Sequence, residues 1–285
     1  MRKDLSILEI HTAVFLFGMA GLFGKFLSLS LFIIVFGRTF FASVCLFIIL
    51  RLFKYRLKIP SKGDLYFLIA LGILLAAHWA SFFHSIQIST VAIGLLTFST
   101  FPVFVVFIEP YVSKSRLNPK NIILVLILFT GIILIVPKFD LADLKVRGVL
   151  WGILSGFLFA LLTVFNRKYV QKYSPLIVAF YQNSIAAIVL IPAIIFIKIK
   201  IVYSDVLLLL VLGIFCTAIA HTLFIKGMKR VKAESASIIA CLEPVYGILF
   251  AALLLSEYPD LKTLMGGAII ILCALYTSIR SRLSL

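Results

Sequence analysis

Apolar side chains run along this chain in ten long blocks, at 9–24, 31–50, 65–84, 91–112, 122–136, 149–165, 176–197, 206–225, 235–255 and 264–279. The polar and basic residues are gathered into short connectors between them. A helix that crosses a bilayer needs about 20 mostly apolar residues, and these blocks approach or reach that length. Lipid offers no partner to backbone N–H and C=O groups, so each block is expected to be a helix. The connectors leave no room for a soluble domain between the blocks. The pattern predicts an all-α integral membrane protein with ten transmembrane helices.

Composition agrees with the pattern. Of the 285 residues, 63% are hydrophobic and 13% charged, against about 45–50% and about 25% in soluble domains. The formal charge of +16 raises the question of nucleic acid, whose phosphates attract basic patches. The distribution of the charge answers it. With the N-terminus on the cytoplasmic side, nineteen Lys and Arg fall in cytoplasmic segments, among them Arg51, Lys54, Arg56, Arg116, Lys120, Lys172, Lys226 and Arg230. Seven fall on the opposite face, among them Lys25, Lys138, Lys145, Lys198, Lys200 and Lys262. Such a bias over short loops orients a membrane protein, here with both termini cytoplasmic. The basicity therefore reads as a topology signal, with the lipid bilayer as partner and no nucleic acid. Block 9–24 reads as a first span, because no small-residue cleavage site follows it. Cys45, Cys216, Cys241 and Cys273 all lie inside apolar blocks without ligand spacing, so neither disulfides nor a metal site are expected.

The ten blocks divide into two halves of one kind, 5–140 and 146–281. A shift of 142 residues lays Pro102 on Pro244 and His84 on Lys226; a shift of 144 lays Phe36 on Phe180 and Arg38 on Gln182. With five spans in each half, the second half lies upside down relative to the first. Inverted repeats of this sort are a recurrent transporter architecture, with the site near mid-membrane between the halves. Pro102 and Pro244 occupy corresponding places as helix kinks. Proline leaves a carbonyl of the preceding turn without its helical partner, and in lipid that group needs an internal or aqueous neighbour.

The ninth block, ASIIACLEPVYGILFAALLLSE, carries a carboxylate inside the membrane at Glu243-Pro244. Together with the following GGAIIILCA, with Arg38 in FGRTFFASVCLFII, and with the two five-helix halves, it resembles the EamA type of the drug/metabolite transporter superfamily. The resemblance covers nearly the whole chain. It implies a ten-span permease of the inner (plasma) membrane that moves a small organic metabolite by alternating access, export being the usual task. The first half departs from the pattern, since Phe101 stands where Glu243 stands in the second.

Several side chains are candidates for the work. An ionisable group inside the membrane usually faces a protein interior or a watery cavity. Glu243 can bind solute or carry a proton, or it can be a buried acid that fixes the kinked helix. Arg38 stays protonated and needs a partner; it can hold a substrate carboxylate or pair with an acid such as Glu243. His78 and His221 lie in equivalent spans and are able to exchange protons near neutrality. Trp79 and Phe83 beside them offer aromatic faces for a cation. Tyr181 and Gln182, followed by Asn183, either line the cavity or bond one helix to another. Gly148, Gly152 and Gly156 form a stripe for close helix packing. Arg38 favours an amino-acid-like anion or zwitterion, whereas Glu243 with the aromatic set favours an amphipathic cation such as a quaternary amine. The alternatives to an exporter are an uptake or exchange permease for such an amine and, further off, an intramembrane enzyme. No nucleophile–base pair or metal motif supports the enzyme, and no cofactor is expected.

Overall fold

The computed structural model describes residues 2–114, 121–135, 140–197 and 201–283. Arg116, Lys120, Lys138, Lys198 and Lys200 from the charge bias lie outside the described residues, as do the side chains of Arg2, Lys3, Arg280 and Arg282. The first half comprises α1 (Arg2–Ala20), the short α2 (Phe23–Phe26), α3 (Leu31–Leu52), α4 (Lys62–Ile88), α5 (Val91–Phe98), α6 (Phe101–Ser113) and α7 (Asn121–Ile135). The second comprises α8 (Leu144–Tyr169), α9 (Pro175–Ile195) and α10 (Tyr203–Gly213). A π-helical turn at Ile214–Ile219 then leads into α11 (Ala220–Gly227), followed by α12 (Ala233–Ala240), α13 (Glu243–Leu255) and α14 (Leu261–Leu283). Among the described residues, eight stretches are long and apolar enough to cross a membrane, and α14 holds a shorter apolar one at Leu261–Cys273. The 15 residues of α7 make the tenth.

The blocks at 91–112 and 235–255 are broken helices rather than kinked ones. The first parts at Ser99 and Thr100, the second at Cys241 and Leu242. Pro102 and Pro244 then stand in the opening turn of the second piece. Proline fits there because that turn has no use for its missing N–H. Short side chains at each break add a second bond to carbonyls of the turn before it, which already accept from backbone N–H groups. Ser99 Oγ donates to the Leu95 carbonyl at 2.9 Å and Thr100 Oγ1 to that of Thr97 at 2.8 Å. At the second break Cys241 Sγ donates to the Ser237 carbonyl at 3.3 Å.

Helix packing repeats across the two halves. α4 lies on α8 as α11 lies on α1, α4 on α9 as α10 on α3, and α6 on α8 as α13 on α1. α3 with α9 and α7 with α14 each join an element to its own counterpart, and α5 lies on α13 as α12 lies on α6. Such pairing is what a two-fold exchange of the halves requires. Two glycines display it at atomic scale. A Cβ on Gly72 would stand 3.0 Å from the Gln182 carbonyl oxygen, and one on Gly213 would stand 3.0 Å from that of Arg38. The two crossings are equivalent, α4 meeting α9 at Gln182 as α10 meets α3 at Arg38. Outward-facing Leu52, Ile195, Leu207 and Leu253 are exposed, as side chains meeting hydrocarbon would be.

Candidate functional site

Where the two halves meet, about 390 Å³ of space lies unoccupied by atoms, walled by seven helices. α3 contributes Arg38, α4 contributes Leu75, His78, Trp79 and Phe82, and α11 and α13 contribute His221 and Glu243. Phe17 and Ala20 of α1, Phe98 of α5 and Phe159 of α8 complete the wall. The space is narrow, with room for about one or two waters.

Arg38 is 1% exposed, and the protein surrounds its cation on three sides. Its Nε–H donates to Thr217 Oγ1 at 3.0 Å and an Nη2–H to the Cys216 carbonyl at 3.3 Å. The indole of Trp79 lies flat against it, 3.8 Å from Cζ to the ring centre, and Phe83 backs it at 5.4 Å. A desolvated cation over a ring is stabilised by about 2 kcal/mol, which offsets part of the penalty of burying the charge. Glu243 is 4% exposed. Its carboxyl makes no hydrogen bond among the described residues, and no ion pair within 4 Å joins it to Arg38. The α13 backbone that carries Glu243 is drawn close to α1 at Gly18, where a Cβ would stand 3.0 Å from the Glu243 carbonyl oxygen.

The two histidines meet different partners through Nδ1. His78 Nδ1 lies 3.1 Å from the Ser155 carbonyl oxygen and 2.9 Å from its hydroxyl; a ring protonated there donates to the carbonyl. Its plane sits among Phe98 at 5.6 Å and Phe159 at 5.0 Å. His221 Nδ1 accepts from the Asn183 amide at 3.3 Å and meets the edge of Trp79 at 5.9 Å.

Arg38, His78, Trp79, His221 and Glu243 thus share one pocket, with Phe83 behind Arg38. Tyr181 and Gln182 point elsewhere. The Tyr181 hydroxyl donates to the Leu57 carbonyl at 2.8 Å, in the α3–α4 connection. Gln182 Nε2 donates to Asn166 Oδ1 at 2.5 Å, and its own oxygen is buried without a partner. Thr217, Phe159 and Phe17 were not anticipated. The 142-residue shift that relates the halves also relates Phe17 to Phe159, so the repeat held that signal. Thr217 left none.

Polar ties close the bundle at both ends. At one, Lys226 pairs with Glu9 at 2.7 Å, and Asp64 accepts from Lys172 at 2.8 Å and Tyr173 at 2.6 Å. The bond to Asp64 pushes the Tyr173 hydroxyl up to about 12 and holds the Lys172 ammonium above its ordinary value. At the other, Lys25 donates to the Ser89 carbonyl at 2.8 Å, Glu257 accepts from the Val91 N–H at 2.6 Å, and Lys145 pairs with Asp260 at 3.4 Å.

The EamA-like transporter family matches this chain twice, at residues 5–136 and at 146–279. An uncharacterized transporter of Bacillus subtilis (strain 168) is 26% identical over 274 residues, which span 93% of this chain and 86% of the relative. The S-adenosylmethionine uptake transporter of Rickettsia bellii (strain RML369-C) is 26% identical over 244 residues, spanning 85% of this chain and 82% of the relative. A solved crystal structure superposes with a TM-score of 0.71 at 20% identity, covering 98% of this chain and 99% of the other, and shares the fold.

Proposed function

Because the chain belongs to the EamA-like transporter family, a group of multi-pass membrane proteins that move small molecules and are not enzymes, we propose that it is a secondary transporter for an amino-acid-like zwitterion bearing a further cationic or aromatic part. It works in the plasma (inner) membrane, with both termini cytoplasmic as the charge bias favours. The observation that carries this reading is that Arg38 and Glu243 share one aromatic-walled pocket without being bonded to each other. A zwitterion places its carboxylate toward the first and its ammonium toward the second. S-adenosylmethionine, named for the Rickettsia relative, has this chemistry: an amino-acid head, a sulfonium for an aromatic face, and an adenine ring to stack. The same features favour a quaternary amine as the second reading, in which Glu243 and Trp79 serve without Arg38.

Glu243 also supplies a means of coupling. A carboxylate in a pocket of low dielectric holds either a proton or the positive charge of a solute, since losing both leaves it desolvated and unpaired. One proton then exchanges for one bound cation as the site opens to alternate sides. Rocking of the halves about their two-fold is the corresponding motion. The solute and ion gradients set its direction, so export and uptake use one cycle.

Purified protein in sealed vesicles loaded with unlabelled S-adenosylmethionine should draw in the labelled compound by counterflow, with free amino acids and a quaternary amine as competitors. Glu243→Gln, whose amide oxygen can still accept from the ammonium, should keep this exchange at a raised KM and lose accumulation driven by a pH gradient. Loss of both refutes the coupling role and leaves Glu243 a binding or folding residue only. Absence of counterflow with every solute of the panel refutes the substrate class.

A further inference from the structure

We infer that the π-helical turn at Ile214–Ile219 is the selectivity element of the pocket: through Thr217 it positions Arg38 as the seat for a substrate carboxylate. This rests on the zwitterion reading above and names the residue that enforces it.

Among the described residues this is the one π-helical stretch. Its position in the fold is informative. Gly213, immediately before it, lets α10 approach the backbone of α3 at the Arg38 carbonyl. The chain then widens, and Thr217 Oγ1 donates to the Leu212 carbonyl at 2.8 Å, five residues back. With its proton so engaged, the hydroxyl oxygen is turned to accept from Arg38 Nε–H, while the Cys216 carbonyl takes Nη2. Nη1 has no partner among the described residues, and Arg38 lines the pocket. The guanidinium is therefore clamped along one edge and over one face, with its remaining nitrogen available to a ligand. A planar fork held in this way is suited to a carboxylate.

The other half supplies the control. The counterpart of Arg38 is Gln182, and the counterpart of the Gly213 crossing is the Gly72 crossing. There α4 continues as unbroken α-helix past Gly72, Leu75 stands where the 142-residue shift puts Thr217, and Gln182 bonds to Asn166 instead. The π turn occurs only where the crossing helix carries the arginine. Local π-helical turns are often associated with function.

The test compares S-adenosylmethionine with its decarboxylated analogue in vesicle counterflow. Thr217→Val should raise KM for the first by about tenfold or more, the effect of one charge-assisted hydrogen bond, with turnover unchanged and the analogue unaffected. Thr217→Ser should match the wild type. Equal losses for both probes, or no change for either, overturn the positioning role. Wild-type protein that carries neither probe overturns the substrate reading and this inference together. One arm needs no variant at the threonine. In protein labelled with 15N-arginine, the Arg38 Nε–H, assigned by its loss in Arg38→Lys, should exchange slowly with solvent; fast exchange refutes the clamp even where Thr217→Val fails to fold.

Discussion

Replacing Gly213 by alanine tests the link between packing and chemistry, because the two-fold provides a matched control at Gly72. An alanine Cβ at 213 would stand 2.6 Å from the Phe41 Cβ and 3.0 Å from the Arg38 carbonyl oxygen. Carbon atoms in good contact are about 3.5–4.0 Å apart, so α10 must retreat from α3 by about 1 Å. At 72 the new Cβ would stand 2.5 Å from the Ile185 Cβ and 3.0 Å from the Gln182 carbonyl oxygen. The steric conflict is the same, and each variant should lose about 1–3 kcal/mol of stability to overpacking. The consequences for solute differ. One turn beyond Gly213, the 3.0 Å bond from Arg38 to Thr217 would stretch past the useful range of about 2.7–3.2 Å. One turn beyond Gly72 stands the apolar Leu75, with no such bond to stretch. Thermal unfolding in detergent should therefore show similar losses for Gly72→Ala and Gly213→Ala. Counterflow should show KM raised about tenfold, or about 1.4 kcal/mol, for Gly213→Ala alone. Equal effects on KM would mean that any distortion between the halves disturbs binding, and a normal KM in Gly213→Ala would mean that Arg38 does not depend on this crossing.

Two further outcomes follow from the ties at the ends. Tyr173 should titrate near 12 in an ultraviolet difference titration of wild type against Tyr173→Phe, and Asp64→Asn should return it toward about 10. The neutral phenol then stabilises the fold fully below about pH 10, a contribution lost as pH rises through about 12; a wild-type Tyr173 that titrates near 10 refutes the bond. Glu257→Ala removes the side-chain acceptor from the first N–H of α5 and should lower stability by about 1 kcal/mol, with Glu257→Gln retaining most of it. Equal loss in both variants would assign the effect to charge rather than capping.

Much of the architecture is written in hydropathy. Ten apolar blocks give ten helical spans, two of them broken, because in lipid the backbone has few other options, and an odd number per half dictates inversion. The polar residues at Arg38, His78, His221 and Glu243 were conspicuous because an ionisable group in such a block needs company. Direction was less legible. Tyr181, Gln182 and Asn183 are consecutive on a helix, so they point about 100° apart. Only Asn183 reaches a pocket residue, His221, while Tyr181 turns to Leu57 and Gln182 to Asn166. Pro102 and Pro244 announced an irregularity, but a kink and a break differ only in how the two residues before the helix restart are held. The π turn was silent. IFCTAI is as apolar as its neighbours, and one widened turn alters no composition.

The scaffold is symmetric and the chemistry on it is not. Under the shifts that superpose the halves, Arg38 answers to Gln182, Thr217 to Leu75 and Glu243 to Phe101. A strictly repeated site would set two arginines and two glutamates around one small cavity. Like charges about 8 Å apart at an effective dielectric of about 20 repel by about 2 kcal/mol, and each would still need its own desolvated partner. The chain instead keeps one cation and one anion. Phe101 stacks on Phe98 at 5.2 Å and meets Phe159 edge-to-face at 5.0 Å, where the second carboxylate would have been. Under the alternating access proposed above, symmetry would serve the motion, since equivalent helix crossings such as those at Gly72 and Gly213 would allow inward- and outward-facing states of similar energy. Under the proposed substrate class, asymmetry would serve recognition, because a zwitterion can be read in only one orientation by a single Arg–Glu pair. On this reading, a substitution that restores the repeat, such as Phe101→Glu, should be more damaging than one that merely empties a polar position, because it places a second acid inside the aromatic cluster with no cation to meet it.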